Sequence, residues 1–179
     1  DVLAPASTEQ KGRWRCFIDI SHDDGLTFEK QKYIVRPRTA KGLVQMIQPT
    51  LWESENGHIH ALMRTNKGRI YRSDSADYGG TWTKAYATEL PNNNSGIDAV
   101  KTDKGLFLLY NPVEENWGAR SPVTLAYSSD NGETWTNLKD LDCEGEEFSY
   151  PAITAVGNTL YITYTYLRKK IRFWRIEVE

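Results

Sequence analysis

Short strand-like runs, in which apolar positions recur among polar ones, cover most of the chain and are separated by turn-forming residues. Such runs of four to eight residues, bounded by glycine or asparagine, are typical of β-strands. No segment with a helical period extends beyond about two turns. The pattern therefore predicts an all-β protein. The predicted strands are 15–20, 28–35, 47–52, 58–63, 69–72, 83–88, 96–101, 106–110, 123–127, 136–138, 150–156, 159–166 and 171–178.

Three eight-residue segments share the pattern Ser-x-Asp-x-Gly-x-Thr followed by Trp or Phe. They begin at Ser21, Ser75 and Ser128, so they stand 54 and 53 residues apart. Five fixed positions that recur three times at one period indicate a structural repeat. Ser and Asp side chains bond nearby backbone N–H groups, and Gly supplies the positive φ of a tight turn. We expect each segment to fasten a hairpin, with its aromatic ring against the neighbouring unit.

A unit of about 53 residues with four strands is typical of a β-propeller blade. We predict one partial propeller domain over residues 1–179, with blades at approximately 1–40, 41–90, 91–142 and 143–179. The first blade is expected to lack its inner strands and the last blade its outer strand. A propeller protects its sheet edges by closing into a ring. A missing N-terminal half or a second copy of the chain is therefore the expected structural partner.

The charge of the chain is balanced, with 22 Lys and Arg residues against 24 Asp and Glu residues and a formal net charge of −2. This balance argues against nucleic acid or an anionic membrane as a partner, since both require a basic excess. No apolar run approaches the roughly 20 residues of a membrane span, and the N-terminus shows no signal pattern. The compartment stays open, because a leader could have been removed.

The cysteines and histidines give no sign of a metal site or another cofactor. Cys16 and Cys143 lie far apart in the sequence, so two partly buried free thiols are the simpler interpretation and one long-range disulfide is the alternative. His58 and His60 are two residues apart on one strand and share a face, but no third ligand accompanies them. We expect these histidines to have structural roles.

Four short stretches between the repeated turns carry a family resemblance: Gln48-Pro49-Thr50-Leu51, Leu62-Met63-Arg64-Thr65, Arg120-Ser121-Pro122 and Phe148-Ser149-Tyr150-Pro151. With the repeats, which are the Asp boxes of that family, they resemble the sialidase (neuraminidase) superfamily of six-bladed propellers. The resemblance covers essentially the whole chain and is strongest to bacterial sialidase-like proteins with BNR repeats. It implies that this chain supplies about three blades, as the C-terminal half of a longer family member.

Sialidases bind the carboxylate of their substrate with three arginines, and a Tyr paired with a Glu is their nucleophile. The resemblance implies that Arg64 and Arg120 are the second and third arginines and that Tyr150 is the nucleophile. An arginine fork suits a carboxylate, and a tyrosine needs a nearby base because its ordinary pKa is about 10. Gln48 stands where the family has the Glu, and an amide cannot accept the phenolic proton. The first arginine, and the loop Asp that is the general acid of sialidases, would lie outside this chain.

Four more residues are candidates for contacts with sugar. Asn94, Ser95 and Asp98 open an inner strand at the expected pocket end, where they either bond sugar hydroxyls or only shape a turn. Trp117 either stacks on a sugar ring or packs locally.

Two classes of function follow for the chain. The first is a sialidase-like glycoside hydrolase that acts on an acidic, carboxylate-bearing glycan. The second is a non-catalytic carbohydrate-binding or interaction propeller, which the replacement at Gln48 favours, and the fold alone does not decide between them. A lyase or hydrolase directed at uronic acids is a further interpretation within the same fold.

Overall fold

The computed structural model describes residues 1–178, which form sixteen β-strands. No helix occurs in this part of the chain, and hence none that is long and apolar enough to cross a membrane. The prediction of an all-β fold is confirmed. The strands are β1 (Val2–Gln10), β2 (Arg13–Ser21), β3 (Glu29–Lys30), β4 (Arg38–Thr39), β5 (Gly42–Leu43), β6 (Met46–Glu55), β7 (His58–Thr65), β8 (Arg69–Ser75), β9 (Tyr86–Pro91), β10 (Asp98–Thr102), β11 (Gly105–Tyr110), β12 (Val123–Ser128), β13 (Thr136–Asp142), β14 (Phe148–Val156), β15 (Thr159–Tyr166) and β16 (Lys170–Glu177).

The strands form four antiparallel sheets, each of which follows chain order without a crossover. Sheet I contains β1–β3, sheet II β6–β9, sheet III β10–β13 and sheet IV β14–β16. A separate short hairpin pairs β4 with β5 and connects the first two sheets. Short hairpins between neighbouring strands are the simplest connection for antiparallel sheets, and they place the ends of alternate strands at the same end of each sheet.

The two interior sheets are buried on both faces, because a neighbouring sheet packs on each side. In β7, Leu62 belongs to the core shared with sheet III, whereas Met63 packs with Cys16 of sheet I. In β11, Leu108 faces sheet II and Leu109 faces sheet IV. Successive residues of a strand point to opposite faces, so one apolar run serves two cores. Burial of each such leucine stabilises the fold by about 2 kcal/mol.

The three Asp boxes connect the last two strands of sheets I, II and III. In each box the Ser hydroxyl donates to the Asp carboxylate at 2.7–2.8 Å, and the Gly N–H donates to the Ser hydroxyl at 2.8–2.9 Å. The Asp carboxylate also accepts the Thr N–H at 2.8–2.9 Å. The expected turn chemistry is confirmed. Trp82 and Trp135 pack against apolar cores as expected, whereas the ring of Phe28 is exposed.

Sheet I differs most from the expectation. The sequence pattern does not predict β1 (Val2–Gln10), because Pro5 and a polar run at its end interrupt the apolar positions. The strand nevertheless pairs with all of β2 (Arg13–Ser21). The expectation that the first unit lacks its inner strands is therefore wrong for the strand next to β2. The predicted strand 28–35 is reduced to Glu29–Lys30, and beyond it only single backbone N–H groups bond to β2.

A buried polar cluster holds the Asp box of sheet III against sheet II. His60 Nδ1 lies 2.5 Å from Asp74 Oδ1, and Arg72 Nε donates to the same oxygen at 2.8 Å. Arg72 Nη1 also donates to the backbone oxygen of Asn131, inside the box of sheet III, at 2.9 Å. Burial raises the pKa of Asp74, but these hydrogen bonds outweigh it and bring the pKa to about 2. His60 therefore has the structural role that was expected.

Both cysteines are free thiols, so the expectation of two free thiols is confirmed and no long-range disulfide joins them. Cys16 is buried between sheets I and II, and this burial raises the pKa of its thiol. Cys143 is exposed.

Candidate functional site

Residues from three successive sheets meet at the end of the sheets opposite the Asp boxes. Gln48 and Tyr150 lie near the starts of β6 and β14, and Gly96 precedes β10. A Cβ atom at Gly96 would lie 3.6 Å from Gln48 Oε1 and 3.5 Å from Tyr150 Cδ1. Gln48 and Tyr150 therefore both lie beside Gly96 of sheet III.

The backbone is strained at this end of the sheets. Gln48, Asn94 and Tyr150 have φ angles of 51°, 64° and 52°, a region that residues other than glycine rarely adopt. The strand register also shifts next to Gln48 and next to Tyr150. A β-bulge of this kind turns a side chain out of the regular alternation. The same φ region occurs in each Asp box, at Asp24, Tyr78 and Asn131, so positive φ alone does not mark the site.

Arg64 is buried beside Gln48, with 5% of its surface exposed. Its Nη1 donates to Gln48 Oε1 at 2.8 Å, and its Nε donates to Asn94 Oδ1 at 3.2 Å. Asn94 is held in turn, because its Nδ2 donates to Asn116 Oδ1 at 3.2 Å. Burial and then the charge of Arg120 lower the pKa of Arg64, but an arginine remains charged at neutral pH. The guanidinium is thus fixed in place by neutral amides.

Tyr150 lies between two arginines, with its side chain half exposed. The guanidinium carbon of Arg120 is 5.3 Å from the centre of the Tyr150 ring. Arg120 lowers the pKa of the phenol most, and Arg64 lowers it further, because both stabilise the phenolate. The resemblance to sialidases assigned these three residues to one site, and the structure brings them together.

Arg120 is positioned by Glu147 at the start of sheet IV. Its Nη1 lies 3.2 Å from Glu147 Oε1, and its backbone oxygen accepts the Phe148 N–H at 2.7 Å. Glu147 also accepts hydrogen bonds from Arg168 Nε at 2.6 Å and from Ser149 Oγ at 2.9 Å. Burial raises the pKa of Glu147, but its hydrogen bonds and the charge of Arg120 lower it more, so that it lies below its ordinary value. Glu147 therefore remains ionised and holds Arg120 near Tyr150.

Ser95 and Asp98 belong to the framework under the site. Ser95 is fully buried, and its Oγ lies 2.5 Å from Asn93 Oδ1 and 2.6 Å from Asn111 Oδ1. Asp98 accepts the Thr50 hydroxyl at 2.8 Å and the Ile153 N–H at 2.9 Å, so it joins the inner strands of sheets II, III and IV. Neither side chain is presented to a ligand. Asn94 is also fully buried, with its amide bonded to Arg64 and Asn116, so it acts on the site by positioning Arg64.

Trp117 lies at the edge of the site, with 63% of its surface exposed. Its ring meets that of Trp14 edge to face, with a centroid distance of 6.2 Å and an angle of 82°. Its backbone N–H donates to Asn93 O at 3.1 Å, which fixes the loop beside Asn94. Trp14 comes from sheet I, so two sheets contribute to this aromatic edge.

Several residues of the site could not be predicted from the sequence. They act through contacts between distant parts of the chain, and no local pattern marks them. These residues are Gly96, Asn116, Glu147 and Trp14. A glycine at the equivalent position between Gln48 and Tyr150 could have been found by aligning the repeats with one another. In the part of the chain that the structure describes, no group of three or more His, Cys, Asp or Glu side chains could hold a metal ion.

Four antiparallel sheets with Asp boxes at one end and an arginine–tyrosine cluster at the other define a sialidase-like β-propeller fold. The chain belongs to the family of BNR repeat-like domains, whose model matches residues 1–162. No curated protein matches the chain by sequence.

Solved structures share this fold at low sequence identity. A protein of unknown function from Dyadobacter fermentans has a TM-score of 0.70 and 18% identity over 90% of this chain and 45% of its own. The K499G mutant of NanB sialidase from Streptococcus pneumoniae has a TM-score of 0.66 and 18% identity over 91% of this chain and 25% of its own. Trypanosoma rangeli sialidase in complex with sialic acid has a TM-score of 0.63 and 20% identity over 91% of this chain and 27% of its own. The chain thus spans less than half the length of these structures.

Proposed function

We propose that this end of the sheets binds the carboxylate of an acidic sugar, with Arg64 and Arg120 as the cationic groups. The observation that carries the proposal is that Arg64 is buried without a directly paired carboxylate. No Asp or Glu oxygen of residues 1–178 lies within 4.0 Å of this buried guanidinium. The charge of Glu9 acts on Arg64 only from a greater distance. A buried charge without a directly paired carboxylate is unfavourable, and an anionic ligand reduces that cost.

The chemistry of a sugar acid fits the other residues of the site. A carboxylate accepts two parallel hydrogen bonds from a guanidinium. The exposed face of Trp117 suits the apolar side of a sugar ring. The sialidase in complex with sialic acid shares the fold, which supports a carboxylate-bearing sugar as the ligand class.

The presence of Gln48 in place of a carboxylate favours sugar binding without efficient turnover. The side chain next to Tyr150 is an amide whose oxygen already accepts a hydrogen bond from Arg64 at 2.8 Å. An amide cannot take the phenolic proton that a carboxylate would take. We therefore propose acidic-sugar recognition as the principal function of this site.

Titration calorimetry with free sialic acid tests this proposal. The wild-type chain is expected to bind, and Arg64→Gln is expected to weaken binding about 30-fold or more, since truncating one partner of a buried charge pair costs about 2 kcal/mol or more. Arg175→Gln is the matched control, because Arg175 is exposed on β16, away from the site. An Arg64→Gln variant that binds as tightly as the wild type contradicts the proposal.

Hydrolysis through Tyr150 is a second candidate, which the lowered pKa of its phenol favours. If Tyr150 is a nucleophile, Gln48→Glu supplies a carboxylate that can take its proton and is expected to raise the release of a fluorogenic group from a sialoside about 100-fold. The double variant with Tyr150→Phe is expected to lose that gain. An unchanged rate in Gln48→Glu argues against a mechanism centred on Tyr150.

A further inference from the structure

A serine, a histidine and an aspartate of sheet II are joined by hydrogen bonds at the Asp-box end, far from the Arg64 site. Ser54 Oγ lies 2.7 Å from His60 Nε2, and His60 Nδ1 lies 2.5 Å from Asp74 Oδ1. Enzymes with a serine nucleophile use this order of groups, which is recognised by geometry and not by sequence position. We call these three residues the Ser54 triad. The cluster that holds the Asp box of sheet III thus also places a hydroxyl beside a base.

Neighbouring side chains fix the proton of His60 on Nδ1. The indole N–H of Trp52 donates to Asn131 Oδ1 at 2.7 Å, so the amide nitrogen of Asn131 is the atom that lies 3.1 Å from His60 Nε2. Because that nitrogen is a donor, Nε2 carries no proton and accepts hydrogen bonds. With a pKa of about 2, Asp74 is ionised at neutral pH and accepts a hydrogen bond from Nδ1–H. His60 Nε2 is therefore free to take the proton of Ser54 Oγ.

The imidazole of His60 is also fixed in its orientation. It stacks on the indole of Trp52, with ring centroids 5.1 Å apart and an interplanar angle of 28°. The charge of Arg72, whose Nη2 lies 3.1 Å from His60 Nδ1, opposes protonation of the ring. Two carboxylates offset this charge, since Arg72 Nε lies 2.8 Å from Asp74 and Nη1 lies 3.1 Å from Glu133. The imidazole therefore accepts a proton beside an arginine that is already paired.

A β-bulge presents Ser54 to the histidine. The pairing of β6 with β7 shifts register between Glu53 and Glu55, so Ser54 has no partner in β7. Bulges of this kind redirect a side chain and are common next to active sites. Lys101 Nζ donates to the backbone oxygens of Glu53 and Ser54 at 2.9 and 2.8 Å, which holds the bulge in place. Ser54 is half-buried, whereas His60 is buried, so the hydroxyl is accessible and the base behind it is shielded.

Ser54 lines a cavity of about 290 Å³ between sheets II and III. Each of these sheets has four strands and packs against a neighbouring sheet on both faces. Leu106 gives the cavity an apolar wall, and Asn131 gives it an amide. Ligand pockets commonly measure about 300–1,000 Å³, so a cavity at the lower end of this range suits a small substrate. Amide donors beside a serine nucleophile stabilise the oxyanion of acyl transfer.

We propose that Ser54 and His60 hydrolyse esters of small carboxylic acids, in an activity that does not depend on the proposed sugar-binding function. Ser54 Oγ forms a bond to the acyl carbon while its proton passes to His60 Nε2, and the alcohol leaves with that proton. Water then attacks the acyl carbon and gives a proton to Nε2. The bond to Ser54 Oγ breaks, the oxygen takes this proton back, and the carboxylic acid is released. Asp74 is the positioning residue of the imidazole, and the second N–H of the Asn131 amide is the donor to the oxyanion.

Labelling with a fluorophosphonate probe, which bonds to activated serine hydroxyls with loss of fluoride, tests the Ser54 triad. Peptide mass spectrometry of the wild-type chain is expected to find the adduct on Ser54. No adduct is expected on Ser129, which is exposed in the same cavity but bonds to no histidine of residues 1–178. His60→Gln is expected to slow the labelling about 100-fold, the contribution of a general base. His58→Gln is the matched control, because His58 is exposed on the same strand, and it is expected to react like the wild type.

Hydrolysis of p-nitrophenyl acetate gives a second measurement. Ser54→Ala is expected to keep its fold by circular dichroism, because Asn131 still donates to His60 Nε2, and to lose the hydrolysis. This variant keeps the test valid if His60→Gln fails to fold. A Ser54 that stays unlabelled, equal labelling of Ser54 in folded His60→Gln, or hydrolysis that Ser54→Ala retains would overturn the proposal. Binding of sialic acid at Arg64 uses none of these residues, so its success or failure is decided separately.

Discussion

The two ends of the sheets differ in how regularly they are built. At the Asp-box end, sheets I, II and III repeat one arrangement, and the Ser–Asp hydrogen bond measures 2.7, 2.8 and 2.7 Å in turn. At the other end, equivalent positions in sheets II, III and IV hold Gln48, Gly96 and Tyr150, which differ in size and in hydrogen-bonding groups. Identical residues build the same turn three times, whereas different residues at equivalent positions build one asymmetric site.

The residues at the Asp-box end stabilise the fold, whereas the residues at the other end are those proposed to bind a ligand. A substitution in an Asp box removes a hydrogen bond that holds one sheet together, so it affects unfolding. A substitution among the site residues changes the groups that face the proposed ligand, so it affects binding. Substitutions at the two ends are therefore expected to have separable effects.

The largest effect is expected for Ser75→Ala in the Asp box of sheet II. The hydroxyl of Ser75 accepts the Gly79 N–H at 2.9 Å and donates to Asp77 at 2.8 Å. Its removal leaves a buried N–H without a partner, which costs about 2 kcal/mol. We expect the melting temperature to fall by about 4–8 °C, as measured by circular dichroism, with unchanged affinity for sialic acid.

Ser129→Ala is the matched control for this substitution, since Ser129 occupies a variable position of the next box and is exposed. It is expected to leave the melting temperature nearly unchanged. An equal fall in both variants would mean that the box hydrogen bonds do not govern stability.

The repeat explains why the fold could be predicted from the sequence. The five fixed residues of each repeat predict the positions of the turns. The turns in turn delimit most of the strands of sheets II, III and IV. The prediction is wrong where the repeat gives no guidance. β9 (Tyr86–Pro91) begins later than the predicted strand 83–88, and β10 (Asp98–Thr102) begins later than 96–101. The observed strands start two or three residues after the predicted starts.

A smaller effect is expected for Gly96→Val, which acts on the other end of the sheets. A Cβ atom at Gly96 makes ordinary contacts with Tyr150 and Gln48, but the two methyl groups of valine would occupy the space between them. We expect the affinity for sialic acid to fall about tenfold, which corresponds to about 1.4 kcal/mol. Gly96→Ala is the control and is expected to bind nearly as well as the wild type. Unaltered binding by Gly96→Val would place the sugar elsewhere.

The smallest effect is a shift in the titration of Tyr150. Because Arg120 and Arg64 favour the phenolate, the pKa of Tyr150 lies below the ordinary value of about 10. The difference in ultraviolet absorbance between the wild type and Tyr150→Phe is expected to show a midpoint below that value. Arg120→Gln is expected to raise the midpoint. A midpoint at or above the ordinary value in the wild type would mean that the arginines do not act on the phenol.

The site was predictable only where a family resemblance marked its residues. Arg64, Arg120 and Tyr150 stand in recognisable stretches, and the structure gathers them at one end of the sheets. Ser95 looked like a sugar contact because it lies in a polar loop, yet Asn93 and Asn111 enclose its hydroxyl. Whether a polar residue faces a ligand or its own framework depends on contacts between sheets, which a single sequence does not contain.

The most direct test of the account is a crystal structure of the chain with sialic acid bound. We predict that the sugar carboxylate lies within hydrogen-bonding distance, about 3 Å, of the guanidinium groups of Arg64 and Arg120, with an intact sugar ring beside Tyr150. A sugar bound at the Asp-box end, or a site that remains without sugar at saturating concentration, would contradict the claim that the asymmetric end of the sheets recognises acidic sugars.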